Sequence, residues 1–183
     1  MKLTNLTLTT VLMTLMILSS CGGSDTKKSN IESIPIEVTI GKQVWMTQNL
    51  NVDKFSNGDP IPEAKTEGEW NAYNQAGEAA WCYYKNDPNN GAKYGKLYNW
   101  FAVNDPRGLA PKGWHIPTDA EWTELTDYLG GKEKAGAKMK SKEGWSDGGN
   151  GTNSSGFSGL PGGSRYLDGT FYYIGNGGGW WSS

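Results

Sequence analysis

Three patterns in this chain predict an α+β domain, loop-rich, with short antiparallel strands and one main helix over about residues 119–129. The first is a helix start. Thr118 followed three residues later by Glu121 is a capping box: the hydroxyl takes a free N–H of the first turn and the carboxylate reaches back to the cap's own N–H. Trp122, Leu125 and Leu129 then recur at helical spacing, and Gly130-Gly131 tolerates a left-handed C-cap. The second is a pair of hairpin signatures, one near each end of the domain. The third is composition: 26 glycines, nine tryptophans and nine tyrosines in 183 residues. Glycine at about twice its usual 7%, beside many large rings, means long loops and a core whose area comes from a few aromatics.

Ile36-Glu37-Val38-Thr39-Ile40 alternates and passes through Gly41-Lys42 to Gln43-Val44-Trp45-Met46, a β-hairpin whose pairing Asn49-Leu50-Asn51-Val52 is expected to close. Lys54 to Ala79 is polar and carries Pro60 and Pro62, so it reads as a long surface loop with a short helix near 67–74. Ala80-Trp81-Cys82-Tyr83-Tyr84 is strand-like and is stopped by Asp87-Pro88-Asn89-Asn90-Gly91. Leu97 to Val103 is apolar and fits a buried helix or a strand equally. After the main helix comes a weaker one around 135–140. Tyr166-Leu167, a turn at Asp168-Gly169, and Thr170-Phe171-Tyr172-Tyr173-Ile174 form the second hairpin.

Residues 1–20 have the form of a lipoprotein signal peptide. Lys2 supplies the positive start, Val11 to Leu18 a short apolar stretch, and Leu18-Ser19-Ser20-Cys21 matches a lipobox. Eight residues are too few to cross a bilayer, which needs about 20. Cys21 is therefore the expected lipidation site, and two or more acyl chains there anchor a protein stably to a membrane. Residues 21–35 are the lipidated cysteine and a flexible tether with a reach of roughly 20 Å. Residues 36–183 are the folded domain. The expected location is the outer membrane, as a lipoprotein on its periplasmic face or at the cell surface. Removing Lys2 with the signal takes the formal charge from −2 to −3, which argues against nucleic-acid binding, since that needs a basic stripe.

Five separate motifs carry a family resemblance: Val38 to Leu50, Gly95-Lys96-Leu97-Tyr98-Asn99-Trp100, Pro111 to Trp122, Gly156 to Arg165, and Gly179-Trp180-Trp181-Ser182-Ser183. Together they resemble the Fibrobacter succinogenes major paralogous domain over residues 36–183. That family is similar in turn to the formylglycine-generating, sulfatase-modifying enzymes, through Ile116-Pro117-Thr118-Asp119-Ala120-Glu121-Trp122, and through them to the C-type-lectin-like fold. The resemblance implies a C-terminally truncated copy, without a closing strand and without a partner for Cys82. It also implies that formylglycine-generating chemistry is absent, because that chemistry uses a pair of cysteines and this domain offers only Cys82.

No catalytic residues are assigned. His115 is the only histidine, so no triad and no multi-histidine metal site can form. Asp119 with Glu121, Glu121 with Glu124, and Asp147 with Asp168 are carboxylate pairs of the kind a hydrolase uses, but the capping box accounts for Glu121 and the helix dipole for Asp119. Asp147, Asn150 and Asn153 are the candidate metal ligands, with Ca²⁺ the ion their hard oxygens suit; no other cofactor is expected. The aromatics point to binding: Tyr172, Tyr173, Trp180 and Trp181 are the candidate ligand-binding residues, one of each neighbouring pair facing outward as strand alternation requires. Trp100, Trp114 and Trp122 are assigned to the core. The reading is a non-catalytic, lipid-anchored envelope module that binds glycan or protein. The alternatives are a carboxylate-dependent glycan hydrolase and a functionless truncated fragment.

Overall fold

The computed structural model describes residues 37–183. The signal segment, Cys21 and the tether lie outside the described residues. The architecture is α+β: three two-stranded antiparallel sheets and five helices joined by long loops, among the described residues. None of these helices is long and apolar enough to cross a membrane.

The first hairpin pairs β1 (Glu37–Ile40) with β2 (Gln43–Met46), with Ile40 opposite Gln43. Gly41, at φ +62°, supplies the positive φ that a two-residue hairpin loop needs. Gln43, Val44 and Trp45 are all buried, so β2 is covered on both faces. Gln43 is satisfied there: its amide donates to the Glu121 carbonyl at 3.1 Å and its Oε1 accepts from the Trp45 indole at 3.1 Å. Residues 49–52 do not extend this sheet. The Asn49 amide donates to the Tyr94 carbonyl and the Leu50 carbonyl accepts from Lys96, so the segment's polar groups pair with the 94–96 turn instead.

The expected helix near 67–74 is α1 (Glu67–Ala76), as long as the main one. It carries a capping box of its own, Thr66 with Glu69, and ends at Gly77 in the left-handed region. The loop before it is more than surface: Phe55, Ile61 and Ala64 are buried. Next, β3 (Trp81–Cys82) pairs with β4 (Leu97–Tyr98), and α2 (Pro88–Tyr94) fills the connection. Asp87-Pro88 does not stop the strand, which ends at Cys82 ahead of a 3-10 turn at Tyr84–Asn86; it opens this helix. Asp87 accepts from the Asn89 N–H at 2.9 Å, and proline at the first helical position loses no hydrogen bond. The ambiguous 97–103 stretch is both structures in succession, β4 and then α3 (Trp100–Val103). Asn99 makes the switch, its Oδ1 accepting from Ala102 N–H and from Ala80 N–H at 3.0 Å each.

The main helix is α4 (Asp119–Tyr128), capped by Thr118 and Glu121 as its sequence dictates. α5 (Lys132–Met139) follows after Gly130 and Gly131, both at positive φ. α4, α5 and the first hairpin share one core cluster with Ile40, Trp45, Leu125, Leu129, Ala135 and Phe157. The last hairpin joins β5 (Gly162–Arg165) to β6 (Phe171–Ile174). Its loop is one residue longer than the expected Asp-Gly turn. Tyr166 N–H donates to the Thr170 carbonyl, Gly169 N–H donates to the Tyr166 carbonyl, and Gly169 sits at φ +88°, so Leu167-Asp168-Gly169 form a three-residue loop.

Candidate functional site

The site is built around the tip of the last hairpin, and Arg165 fixes where that tip lies. The Arg165 side chain is buried, yet its charge is met by oxygen: Nε donates to the Gly169 carbonyl at 3.0 Å, Nη1 to the Ala64 carbonyl at 3.2 Å, and Nη2 to the Thr66 carbonyl at 2.9 Å. Its guanidinium lies between the Trp70 and Phe171 rings, 4.8 and 4.5 Å from their centroids. The Trp70 indole adds a second tie, donating to the Tyr166 carbonyl at 2.8 Å. Together these bonds hold the hairpin against the start of α1.

The tip and its neighbours frame an open cleft of about 490 Å³. Its lining includes Tyr166 and Leu167 of the tip, Trp100 and Trp181, and Trp70 and Asn74 of α1. Trp100 and Trp181 pack together at 5.8 Å between centroids. Tyr166 continues the aromatic surface away from the cleft, 4.7 Å from Tyr172, which lies 5.7 Å from Tyr173. Tyr166 and Tyr173 share a hydrogen bond that holds the Tyr166 phenol above its ordinary range. Six large apolar side chains (Trp100, Tyr166, Leu167, Tyr172, Tyr173, Trp181) are exposed along this one surface.

Over residues 38–183 the chain matches the family model described as the Fibrobacter succinogenes major domain. The chain belongs to this family. No curated protein and no solved structure matches it.

In this member of the Fibrobacter succinogenes major domain family the four aromatic candidates divide into two groups. Tyr172 and Tyr173 are both exposed, so the expected alternation fails. Tyr173 has φ +66°, a left-handed residue inside a strand, and that rotation sends its ring out beside Tyr172. Trp180 and Trp181 are also both exposed, because they lie in an irregular segment where no alternation applies. Trp181 lines the cleft, its indole donating to the Tyr98 carbonyl at 3.0 Å. Trp180 is bonded to Asn49 Oδ1 at 3.1 Å and edge-on to Phe157, and with Trp181, Trp114, Trp122 and Ile116 it lines a mainly apolar cavity of about 180 Å³.

Trp100 is a correction. It is 42% exposed, because α3 buries Ala102 and Val103 on its other face. Trp114 and Trp122 are half-buried. Trp81 and Tyr84 are core residues, Trp81 donating its indole N–H to the Ile61 carbonyl.

The candidate calcium residues lie in the 145–158 loop. Asn150 Oδ1 accepts from the Trp145 N–H at 3.0 Å and Asn153 Oδ1 from the Ser158 N–H at 2.8 Å, so both oxygens shape the loop itself. Asp147 is exposed at φ +53°. Among the described residues no group of three or more His, Cys, Asp or Glu side chains converges. Glu121 is fully engaged: its Oε2 accepts the Thr118 N–H at 2.8 Å, and His115 Nε2 lies 3.0 Å from both oxygens. Burial raises its carboxyl pKa, but these partners outweigh burial and hold it below the usual range. Asp168 lines the aromatic cleft, and Asp147 does not.

Sequence reading missed Trp100, Tyr166 and Leu167 as members of the surface, and Asn74 and Asp168 as its polar groups. A signal existed for Tyr166 alone, since it sits three residues before the glycine of a hairpin turn.

Proposed function

We propose that this protein is a non-catalytic, lipid-anchored module of the cell envelope that binds glycan across the aromatic cleft. The observation that carries the reading is the continuous exposed surface from Trp100 and Trp181 through Tyr166 to Tyr172 and Tyr173. Contiguous exposed apolar surface on a soluble domain marks a binding site, and flat rings stack on the faces of sugars. A cleft with a few polar groups among aromatic walls is the usual form of a ligand site. Against hydrolysis stands the engagement of Glu121 in its helix cap. The kinship with C-type-lectin-like domains belongs to this proposal, as does the anchor at Cys21.

The test is a glycan array probed with the mature chain. Binding that falls about tenfold, or about 1.4 kcal/mol, in Tyr173→Ala or Trp181→Ala supports the reading. Hydrolysis of a bound glycan that disappears in Glu121→Gln would replace it with the enzyme reading. Metabolic labelling with a radioactive fatty acid, lost in Cys21→Ser, tests the anchor.

A further inference from the structure

We infer that the apolar cavity bordered by Trp180 and Trp181 is a second binding site, preformed and sized for one small aromatic ring such as phenol or indole. The inference goes beyond the glycan reading, since it concerns a different cavity and a different class of ligand.

The first support is room that the fold leaves unfilled. Protein interiors pack to the density of organic crystals, so voids larger than a water molecule are few. This one measures about 180 Å³ and has a mainly apolar lining. An apolar void of about 150 Å³ stays dry and holds a benzene ring. Part of the wall is backbone without side chains. Gly159 and Gly178 both line the cavity, and a Cβ on them would lie 3.1 and 3.0 Å from the Trp180 ring. Larger residues there would push that ring out of place.

The second support is the chemistry of the wall. Trp45, Trp122, Phe157 and Trp180 line the cavity as one connected cluster of rings, with successive centroids 4.7, 6.1 and 5.6 Å apart. Rings attract one another edge-to-face or offset at such separations, so a planar guest gains over a saturated one of equal size. Two half-buried polar groups of the lining, the Tyr94 hydroxyl and the Trp114 indole N–H, have no partner among the described residues. A hydroxyl both donates and accepts, which suits either the oxygen of a phenol or the N–H of an indole.

The third support is a frame already braced. The Trp180 indole donates to Asn49 Oδ1 at 3.1 Å and the Trp181 indole to the Tyr98 carbonyl at 3.0 Å. The Trp122 indole donates to the Trp181 carbonyl at 3.2 Å, and the Ser183 N–H to the Pro117 carbonyl at 3.0 Å. Residues 180–183 are thus tied to four positions distant in sequence. A site whose walls stand in place before the ligand arrives loses little to ordering on binding.

Isothermal titration calorimetry of the mature chain with phenol, indole and cyclohexanol tests the site. The expected result is saturable one-to-one binding of phenol and indole, with cyclohexanol about threefold weaker or more. Trp181 borders both this cavity and the aromatic cleft, so the variant is made at Ile116, which lines the cavity alone of the two. Ile116→Phe adds volume to the lining and should weaken phenol binding at least about tenfold. Nuclear Overhauser contacts from bound phenol to the Trp180 and Phe157 rings locate the guest in the parent chain, whether or not the variant folds. Contacts confined to Tyr166, Tyr172 and Tyr173 would place the guest on the outer platform and overturn the inference, leaving the glycan reading untouched. No saturable binding of either ring by a protein that melts cooperatively would also overturn it. So would phenol binding undiminished in a folded Ile116→Phe, or cyclohexanol bound as tightly as phenol.

Discussion

The Trp70 indole N–H lies 2.8 Å from the Tyr166 carbonyl and joins the first helix to the tip of the last hairpin across 96 positions of sequence. Beside it, Arg165 reaches the carbonyls of Ala64 and Thr66. The aromatic cleft is therefore set by contacts between two distant segments, and its walls depend on how well they are tied.

Trp70→Phe removes one tie and keeps most of the apolar volume. It should cost about 2 kcal/mol, from the lost hydrogen bond and the small void together. Arg165→Met takes their side-chain donor from the Gly169 and Ala64 carbonyls, while the Thr66 carbonyl keeps the Trp70 N–H, and it should cost at least about 3 kcal/mol. Urea denaturation of each variant measures both. A smaller loss for Arg165→Met than for Trp70→Phe would mean the guanidinium is not what fixes the tip.

Tyr173 and Gly163 each lie between the paired positions Gly162–Ile174 and Ser164–Tyr172 of the β5–β6 sheet, both at positive φ, +66° and +70°. Tyr173→Gly relieves strain of about 1 kcal/mol while removing the outermost ring of the platform. Its stability should be equal or higher and its glycan binding lower, which separates fold from function in one variant. Gly163→Ala should lose more than about 2 kcal/mol, because a Cβ there would lie 2.6 Å from the Tyr172 carbonyl oxygen and from the Tyr84 ring. The thermal melt of Gly163→Ala should shift down, and that of Tyr173→Gly should stay level or rise.

The α4 cap makes stability depend on acid. Glu121 has a folded-state carboxyl pKa below its unfolded one. Its contribution is therefore complete above the unfolded value and is lost as pH falls through the folded value. Melting temperatures from about pH 7 down to about pH 3 should fall less in Glu121→Gln than in the parent, across and below the ordinary carboxylate range. Thr118→Ala should cost about 1 kcal/mol at neutral pH, as loss of an N-cap does. A parallel pH profile in parent and Glu121→Gln would show that the carboxylate does not hold the cap.

Cys82 is a buried thiol in β3, and burial pushes its pKa up to about 11 despite the opposing pull of Arg165. In a chain carrying Cys21→Ser, it should resist alkylation at about pH 8 and react fully once urea unfolds the protein. Rapid labelling of the native state would mean that β3 opens without global unfolding.

Local chemistry was legible in the sequence wherever a few neighbouring residues settle the outcome. The Thr118–Glu121 box opens α4, Gly130-Gly131 ends it, and Gly41-Lys42 turns the first hairpin. The Asp87-Pro88 pair shows the limit of that reading. Proline stops a strand and starts a helix with equal ease, and the side chain of Asp87 decided for the helix. Residues 49–52 show the other limit. They are β-compatible, but their hydrogen-bond partners lie 45 residues away at Tyr94 and Lys96.

By itself the sequence determined the α+β class, the two hairpins, the capped helix and the family, because turn residues, caps and hydrophobic period act over a few positions. Only the tertiary structure decided which rings share a surface. Tyr173 faces outward through a single left-handed backbone torsion, Trp100 through the burial of Ala102 and Val103 behind it, and Trp180 bonds to Asn49 while Trp181 bonds to the Tyr98 carbonyl. Those outcomes rest on contacts between segments far apart in the chain, and spacing along the chain carries no trace of them.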